Sequence, residues 1–488
     1  MIATNRNTTY LCLLLLTLTS WFFPSQASAD ETSAIIQKVL NAYGGKALTE
    51  AQSLKIIDHN KGPWPGESEN PGLPEIWRIN EELTIDFDKK RKSLLSYRVP
   101  RTTIDLERWI FDGERAIKYD ILHQKYSYED WVTYNNLGGS IVRSSDTMQA
   151  RQLHHELKQA TLAGTEYFRG KTHQKLSVTF HSGAQFTYYI DDETGLIRKI
   201  IRNHPSANLV YVFSNHQVAD GLTYASDMNF FVDGELRLTS VERGLELNPD
   251  LKHAFSKFTN YKPWGETIDS NQMLGKHLSK GVYQAGKGRS KTVFVEQTDH
   301  FIAIGGASDL KANFEEIKEL SNTDKALRYF VITHHHRGNL RGLNNALELG
   351  AKLVVAQAHR SQVVAALDRP YADQSLILVP NRAPFTLGNL QLIDIPTAHS
   401  QHYLLVYSPS NKMVIAEDHY ETDLKTAKPR IYKDMVLFGN VLKSLKIEVE
   451  TLVDIRSWRK FTVREFMQWV NNFSEKTCPA GYDICAKG

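Results

Sequence analysis

The hydrophobic pattern of this chain changes near its midpoint, and this change constrains the fold more than any other feature. Before residue 265, runs of alternating apolar, β-branched and aromatic residues are typical of strands joined by hairpins. From Gly281 onward, short apolar strands alternate with helical segments. A polar region at 259–272 separates the two patterns. The sequence therefore predicts two domains, 30–265 and 275–488.

The first domain is predicted to be an antiparallel sheet with a few helices. It opens with a helix over 35–43 that ends at Gly44 and Gly45, and a second helix is predicted over 146–162. The predicted strands cover 53–59, 75–87, 93–99, 103–111, 115–119, 174–180, 185–190, 196–202, 209–213 and 236–242.

Two segments of this domain, LNAYGGKALTEAQSLK and YYIDDETGLIRKI, resemble lipoprotein-carrier-type domains. In that family a curved antiparallel sheet holds apolar material on its concave side. The resemblance implies a curved sheet that binds an apolar ligand. Such sheets also serve as dimerisation or docking modules, and both roles are open here.

The first 29 residues have the anatomy of a cleaved secretory signal. One positive side chain, Arg6, precedes the apolar run from Leu11 to Phe23, and Ala27-Ser28-Ala29 gives an A-x-A cleavage end. The run is short for a membrane span, and an uncleaved anchor is the alternative. We therefore expect cleavage near Ala29 and a periplasmic or secreted protein that does not span the membrane.

Composition and charge exclude several classes of protein. Of the 488 residues, 41% are hydrophobic and 23% are charged, which is typical of a globular protein rather than a disordered or fibrous one. The 58 basic residues nearly balance the 55 acidic ones, and a net charge of +3 gives no reason to expect a nucleic-acid partner.

Two cysteines remain once Cys12 leaves with the signal. Cys478 and Cys485 are separated by six residues that include the turn formers Pro479 and Gly481. An oxidising compartment favours a disulfide between them. The alternative is two unrelated thiols in a frayed tail.

The second domain alternates strands and helices at first and then continues mainly with strands. We predict a mixed α/β domain from this order. The predicted strands cover 292–297, 300–305, 328–333, 352–356, 376–379, 390–395, 403–407 and 412–416, and the predicted helices cover 308–320, 343–348 and 360–367.

Three adjacent histidines, 334–336, follow the predicted strand 328–333. In an extended segment, residues two apart point the same way, so His334 and His336 are expected to face one point and His335 the other side. Neutral imidazole is a common zinc ligand, and strand-end loops present such ligands on a rigid scaffold. A solvated polar loop is the alternative interpretation.

The segment IKELSNTDKALRYFVITHHHRGNLRGL resembles the metallo-β-lactamase superfamily, whose signature here is T-H-x-H-x-D-H-x-G-G. Downstream, DIPTAHSQHYLLVYSPSNKMVIAEDHY resembles the block that carries the family's next ligands. The resemblance runs from about Gly281 to Trp469. It implies an αββα sandwich for the second domain.

Residue by residue, the resemblance implies one intact metal site. His334 and His336 match the paired histidines of the signature, and His399 matches the third histidine of the family's first site. Asp418 matches the aspartate that bridges the two metals, so it is expected to be a fourth ligand or to orient a water. Three histidines with an open position are typical of catalytic zinc. We expect one zinc ion per chain.

The family's second metal site is lost in this chain. Its aspartate and final histidine fall at Gly338 and Asn339, and the family's C-terminal histidine best matches Arg456 in VDIRSWRKFT. A guanidinium there could supply part of the positive charge of a second zinc, pointing into the pocket near Asn339 and Asp418. A surface salt bridge is the alternative. Asp418 and Arg456 are the candidate catalytic residues.

These residues predict hydrolysis of a carbonyl substrate. Zinc lowers the pKa of a bound water toward neutrality, which gives a nucleophile for an ester, thioester, lactone or amide. His402 and His419 are expected beside the site rather than in it. Because Gly338 lacks the carboxylate that positions the nucleophile, a non-catalytic binding protein is the alternative. The sequence thus predicts an exported zinc hydrolase of a small molecule, or a degenerate relative that binds a small-molecule or apolar ligand.

Overall fold

The computed structural model describes residues 26–100, 103–268 and 271–486. Residues 1–25 of the predicted signal lie outside these ranges, so export stays a prediction. Within the same ranges, no helix combines the length and apolarity that crossing a bilayer needs.

We describe the chain in two halves, and the N-terminal half is residues 26–268. Its helices and strands are α1 Gln26–Ala42, α2 Lys46–Thr49, β1 Ser53–Trp64, β2 Glu75–Asp86, β3 Arg91–Val99, β4 Asp105–Phe111, β5 Ala116–Asp120, β6 Lys125–Tyr128, α3 Gly139–Ser144, α4 Asp146–His155, β7 Ala160–Phe168, β8 Lys171–Thr179, β9 Gln185–Asp191, β10 Ile197–His204, β11 Ala207–Ala219, β12 Leu222–Val232, β13 Glu235–Leu247, α5 Leu251–Ala254 and β14 Lys262–Pro263.

Strands β1 to β14 form one fourteen-stranded sheet in the described part of the chain. β1 pairs with β13 at its centre, and successive hairpins extend from this pair to β6 on one side and to β7 on the other. These pairs are antiparallel, and the short β14 adds a parallel pair beside β6. The predicted antiparallel-sheet domain is confirmed.

One face of this sheet packs on the helices α1 and α4. In β1, Leu54 and Ile56 are buried while Lys55 and Ile57 are partly exposed, which is the two-residue period of a strand with one face on a core. α1 contributes Val39 to the same apolar cluster.

The helix predicted over 146–162 is wrong in its second half. α4 ends at His155, and Ala160 begins β7, which pairs with β8. In this pair Leu162 lies opposite Leu176, which is fully buried in the N-terminal core. Cross-strand pairing and burial therefore outweigh the local helical pattern.

The C-terminal half is residues 271–486. Its helices and strands are β15 Leu274–Ser279, β16 Val282–Lys287, β17 Ser290–Glu296, β18 His300–Ile304, α6 Leu310–Ser321, β19 Ala326–Val331, α7 Leu343–Glu348, β20 Lys352–Ala356, α8 Arg360–Ala365, β21 Leu376–Val379, β22 Pro384–Leu387, β23 Leu390–Ile395, β24 Tyr403–Ser408, β25 Met413–Ala416, α9 Lys433–Ser444, β26 Thr451–Asp454, β27 Lys460–Thr462 and α10 Val463–Asn471.

Two sheets form the centre of this half, one from β15 to β21 and one from β22 to β27, each in chain order. An apolar layer that includes Val293, Val331, Leu392 and Val406 joins the two inner faces. Helices α6, α7 and α8 cover the outside of the first sheet, and α9 and α10 cover the outside of the second. The predicted αββα sandwich is confirmed.

Two helices of this sandwich, α9 and α10, are absent from the sequence prediction. Met435, Phe438 and Leu442 of α9 are buried at spacings of three and four residues, and α10 buries Phe466 and Trp469. This spacing is typical of helices, so the sequence contains enough information to predict both of them. The two helices close the sandwich on its second side.

The two halves are in direct contact. Arg430 of the C-terminal half forms ion pairs with Asp105, Glu107 and Asp120 of the large sheet. The C-terminal tail reaches the same sheet, where Asn80 Nδ2 donates a hydrogen bond to the carbonyl oxygen of Ile484 at 2.8 Å.

This tail contains the disulfide between Cys478 and Cys485, which confirms that prediction. The domain limits 30–265 and 275–488 themselves stay predictions.

Candidate metal centre

Loops that follow four strands of the sandwich converge on one cluster of side chains. His334 and His336 follow β19, His399 follows β23, Asp418 follows β25 and Arg456 follows β26. Because each loop leaves the end of a buried strand, the sheets fix where these side chains start.

The histidine segment has the alternation expected from its sequence. His334 and His336 lie with their ring centres 4.3 Å apart, whereas His335 stacks on His359 at 4.7 Å with 21° between the rings. All three histidines are buried. The segment therefore presents two imidazoles to the cluster and one to the neighbouring protein interior.

The residues His334, His336, His399 and Asp418 can hold a metal ion. Each offers a nitrogen or carboxylate oxygen, and these four atoms lie within 4.8 Å of one another. His334 Nε2 is 3.0 Å from His336 Nδ1 and 3.5 Å from Asp418 Oδ2. Imidazole nitrogens with a carboxylate oxygen are the donor set that zinc prefers. The residues present thus fit a zinc ion.

Two features prepare His334 to be a ligand. Burial, together with the imidazoles of His336 and His399, holds its pKa well below the usual value, so the ring is neutral at pH 7. The Thr333 hydroxyl donates its single proton to Glu417 Oε2 at 2.9 Å, so at 3.1 Å it accepts a hydrogen bond from His334 Nδ1. This tautomer places the lone pair on Nε2, which lies 2.8 Å from the donor Asn339 Nδ2 and 3.0 Å from His336 Nδ1.

Asp418 begins the turn after β25 with a positive φ of 67°, which is uncommon for a residue other than glycine. Its Oδ2 faces His334 and its Oδ1 lies 2.7 Å from Arg456 Nη1. Burial opposes ionisation of this carboxyl, but Arg456 and the nearby histidines lower its pKa below the usual range. Asp418 is therefore a carboxylate at neutral pH.

The guanidinium of Arg456 points into the cluster, where the sequence predicted it. Nη2 donates to Asn339 Oδ1, Nε donates to Glu417 Oε1 at 3.2 Å, and Nη1 forms the ion pair with Asp418. The group is thus directed at three protein acceptors. Whether Arg456 and Asp418 take part in catalysis stays a prediction.

Gly338 makes room for this guanidinium. A Cβ atom at position 338 would lie 2.8 Å from Arg456 Nη2, so the guanidinium would have to shift to admit it. An aspartate at this position, as in the family signature, would therefore displace Arg456 from where it now lies.

Glu417 is a buried carboxyl that the sequence analysis did not identify. Its side chain is fully buried, and burial raises its pKa to about 7 despite the opposing effect of Arg456. It links the two sides of the site, because it accepts hydrogen bonds from Thr333 and from Arg456.

A second carboxyl missed by the sequence analysis is Asp434, in the first turn of α9. Its Oδ2 is 3.4 Å from His399 Nε2, and its Oδ1 is buried without a hydrogen-bond partner among the described residues. Nothing in the local sequence marks Asp434 as a site residue.

His402 and His419 lie beside the cluster, as expected. His419 is buried, stacks on Phe438 at 4.3 Å and meets the His399 ring edge-on at 4.8 Å. His402 Nδ1 is 2.8 Å from Asp394 Oδ2. His419 thus packs against a histidine of the cluster, and His402 contacts an acid outside it.

A cavity of about 800 Å³ opens on the cluster, and both halves of the chain line it. From the C-terminal half it reaches His336, His399 and Asp418. The N-terminal half contributes Glu67, Trp77, Lys118, Tyr128, Glu129 and Trp264. A small molecule in this cavity would contact both halves.

Solved metallo-β-lactamase structures align with about two fifths of this chain. The enzyme from Hirschia baltica is 13% identical and aligns over 41% of this chain and 96% of its own, with a TM-score of 0.32. The enzyme from Pontibacter korlensis is 16% identical and aligns over 41% of this chain and all of its own, with a TM-score of 0.32. A mono-zinc metallo-β-lactamase from Pseudomonas aeruginosa gives 16% identity over 42% and 96%, with a TM-score of 0.33.

The assignment of the fold is based on the sheet order and packing described above and not on these structural similarities. The sequence matches no protein-family model and no curated protein. The αββα sandwich and its strand-end histidines confirm the metallo-β-lactamase-like fold expected from the sequence. The resemblance of the N-terminal half to lipoprotein carriers stays a prediction.

Proposed function

We propose that this protein is an exported zinc hydrolase with one metal ion per chain. It acts on an ester, thioester, lactone or amide bond of a small molecule. The observation that carries this proposal is the group of three histidines and one aspartate, which lies at strand ends and opens on a cavity large enough for a small substrate.

The donor set supports zinc, and three histidines that leave a position open are typical of a catalytic rather than a structural site. His334, His336 and His399 would hold the ion, and Asp418 would bind it as a fourth ligand or orient a water beside it. When bound, zinc would polarise a substrate carbonyl and lower the pKa of a water. Asp418 is ionised and fixed by Arg456, so it is oriented before any ligand arrives.

A single ion, rather than two, is supported by what occupies the position of the family's second site. The Arg456 guanidinium lies against Gly338 and donates to Asn339, so a permanent cation already stands there. A second divalent ion at this point would meet a positive charge and lack its ligands.

Elemental analysis of the purified mature protein tests the metal. We expect about one zinc per chain, and we expect His334→Ala and His399→Ala each to lose it. His335→Ala is the matched control, because this imidazole faces His359 instead of the cluster. Two tightly held ions, or none, would contradict the proposal.

A panel of ester, thioester, lactone and amide substrates tests the reaction. We expect turnover that a chelator abolishes and added zinc restores. The competing candidate is a binding protein that keeps the metal and lacks turnover, and the missing carboxylate at Gly338 is the observation that favours it. Zinc without any hydrolysis across the panel would support that candidate.

Export is part of the proposal and rests on the first 29 residues. N-terminal sequencing of the protein recovered from the periplasm or medium of an expressing bacterium is expected to begin after Ala29. A protein retained in the cytoplasm with residues 1–29 intact would contradict it.

A further inference from the structure

The loop between β1 and β2, residues 65–74, reaches from the N-terminal half to the metal cluster. The main chain of Gln401 donates a hydrogen bond to the Glu69 carbonyl oxygen at 3.0 Å, and its side-chain amide donates to Glu69 Oε2 at 2.6 Å. Trp64, the last residue of β1, and Trp77 of β2 stack at 4.5 Å with 9° between the rings. The loop is thus fixed at its base and against the C-terminal half.

This loop orients one of the histidine ligands. His336 Nε2 lies 3.3 Å from the carbonyl oxygen of Ser68, and since a carbonyl only accepts, Nε2 carries the proton. The lone pair is then on Nδ1, the atom that lies 3.0 Å from His334 Nε2. Metal-ligating histidines commonly donate their other nitrogen in this way, which fixes the tautomer and the ring.

The same loop brings a carboxylate to the same nitrogen. Glu67 Oε2 lies 3.6 Å from His336 Nδ1, and Glu67 lines the cavity together with His336, His399 and Asp418. Two atoms bound to one zinc ion at about 2.0 to 2.2 Å lie about 3 to 4 Å apart when the ion has four or five ligands. The 3.6 Å between Glu67 Oε2 and His336 Nδ1 is thus close to the 3.5 Å between Asp418 Oδ2 and His334 Nε2.

We propose, on the basis of the metal site in the proposed function, that Glu67 is a metal ligand contributed by the N-terminal half. The metal centre is then built by both halves of the chain. The C-terminal half supplies the three histidines and Asp418, and the β1–β2 loop supplies a carboxylate ligand and the hydrogen bond that orients His336. This gives the N-terminal half a direct role in holding the metal.

Zinc and cobalt binding to the full mature chain test this proposal without a substrate. Zinc affinity is measured by competition with a chromogenic chelator for the unmodified protein, Glu67→Gln and Glu69→Gln. Glu69 is the matched control because it lies on the same loop but contacts Gln401 instead of the histidines. The absorption bands of bound Co²⁺ report directly on the ligand set.

We expect Glu67→Gln to weaken zinc binding by more than about tenfold, because even a residue that only hydrogen-bonds to a metal ligand typically contributes about 10- to 100-fold to the affinity. Its Co²⁺ spectrum should change in intensity or position, while Glu69→Gln behaves as the unmodified protein. Because Glu67 lies on a loop, all metal-free variants should unfold at the same temperature. This control separates a lost ligand from a damaged fold.

Unchanged zinc affinity and an unchanged Co²⁺ spectrum for Glu67→Gln would overturn the inference and leave the proposed hydrolase standing. Equal losses in Glu67→Gln and Glu69→Gln would overturn it as well, because they indicate a general effect of the loop. Zinc binding that depends on Glu67 in a protein without hydrolytic activity would support the inference and contradict the proposed reaction. An unmodified protein that binds no zinc would overturn both.

Discussion

Replacement of Arg456 by alanine tests whether this guanidinium stabilises the two buried carboxylates beside it. In the structure this guanidinium lies between the carboxylates of Glu417 and Asp418, and only 13% of its side chain is exposed. The alanine variant keeps both acids and removes their common counter-charge. We therefore expect its main effect on the stability of the metal-free protein.

The magnitude follows from the burial of the two acids. Removing one partner of a buried ion pair costs about 3 to 5 kcal/mol, because a buried charge is left uncompensated. Glu417 partly escapes this cost, since its pKa of about 7 allows it to take up a proton near neutrality. Asp418 bears most of the cost, because the variant lacks the guanidinium that lowers the pKa of this carboxyl in the unmodified protein. We expect a loss near the lower limit, about 3 kcal/mol at pH 7.

Urea unfolding of the chelator-treated protein measures this loss. Arg289→Ala is the matched control, since Arg289 lines the same cavity and pairs with Glu421 at 2.7 Å but has 67% of its side chain exposed. An exposed pair of this kind contributes about 0 to 1 kcal/mol. Arg456→Lys should fall between the two, because lysine keeps the charge and loses the planar fork. A loss for Arg456→Ala no larger than that for Arg289→Ala would refute the reasoning.

Three further predictions concern the rest of the chain. Gly338→Asp should lower the free energy of unfolding by about 1 to 3 kcal/mol through its clash with Arg456. The double variant with Arg456→Ala should lose less than the sum of the two single losses, which urea unfolding of all three variants measures. Thiol titration of the denatured, unreduced mature protein should find Cys478 and Cys485 unreactive, and reduction should lower stability by about 2 to 3 kcal/mol. Burial lowers the pKa of Lys92 to about 8, so the unfolded chain binds more protons above that pH and this lysine destabilises the fold at pH 7. Lys92→Met should therefore stabilise the protein more at pH 7 than at pH 10, by about 2 kcal/mol, and equal effects at both pH values would contradict the assignment.

The parts of the site that sequence reasoning located are those determined by local geometry. His334 and His336 share a side because a strand repeats every two residues, and the cluster preserves that relation. In the same way, the predicted limits of α7 and of β20 agree with the structure, since each lies between clear turns. The helix predicted over 146–162 failed at its second half, where pairing with the next strand, β8, decided the conformation.

The parts that sequence reasoning missed depend on contacts between distant residues. Ser68 and Glu67 lie more than 260 positions from His336 along the chain, and no local pattern links a loop of one sheet to a histidine of another. Glu417 and Asp434 are single acids whose importance arises from burial. Burial of one side chain follows from the packing of all the others, so it is not encoded in its own neighbourhood.

Gly338, Asn339 and Arg456, the three positions that the sequence resemblance places at a second metal site, depend on one another physically. A Cβ at position 338 would lie 2.8 Å from Arg456 Nη2, so a larger residue there would require the guanidinium to shift. Asn339 Oδ1 accepts a hydrogen bond from the same guanidinium. With those two residues in place, the guanidinium can neutralise Asp418 and Glu417, which otherwise would be adjacent buried carboxylates without a cation. Arg456 thus holds Asp418 beside His334, in the group of residues that could hold a metal ion.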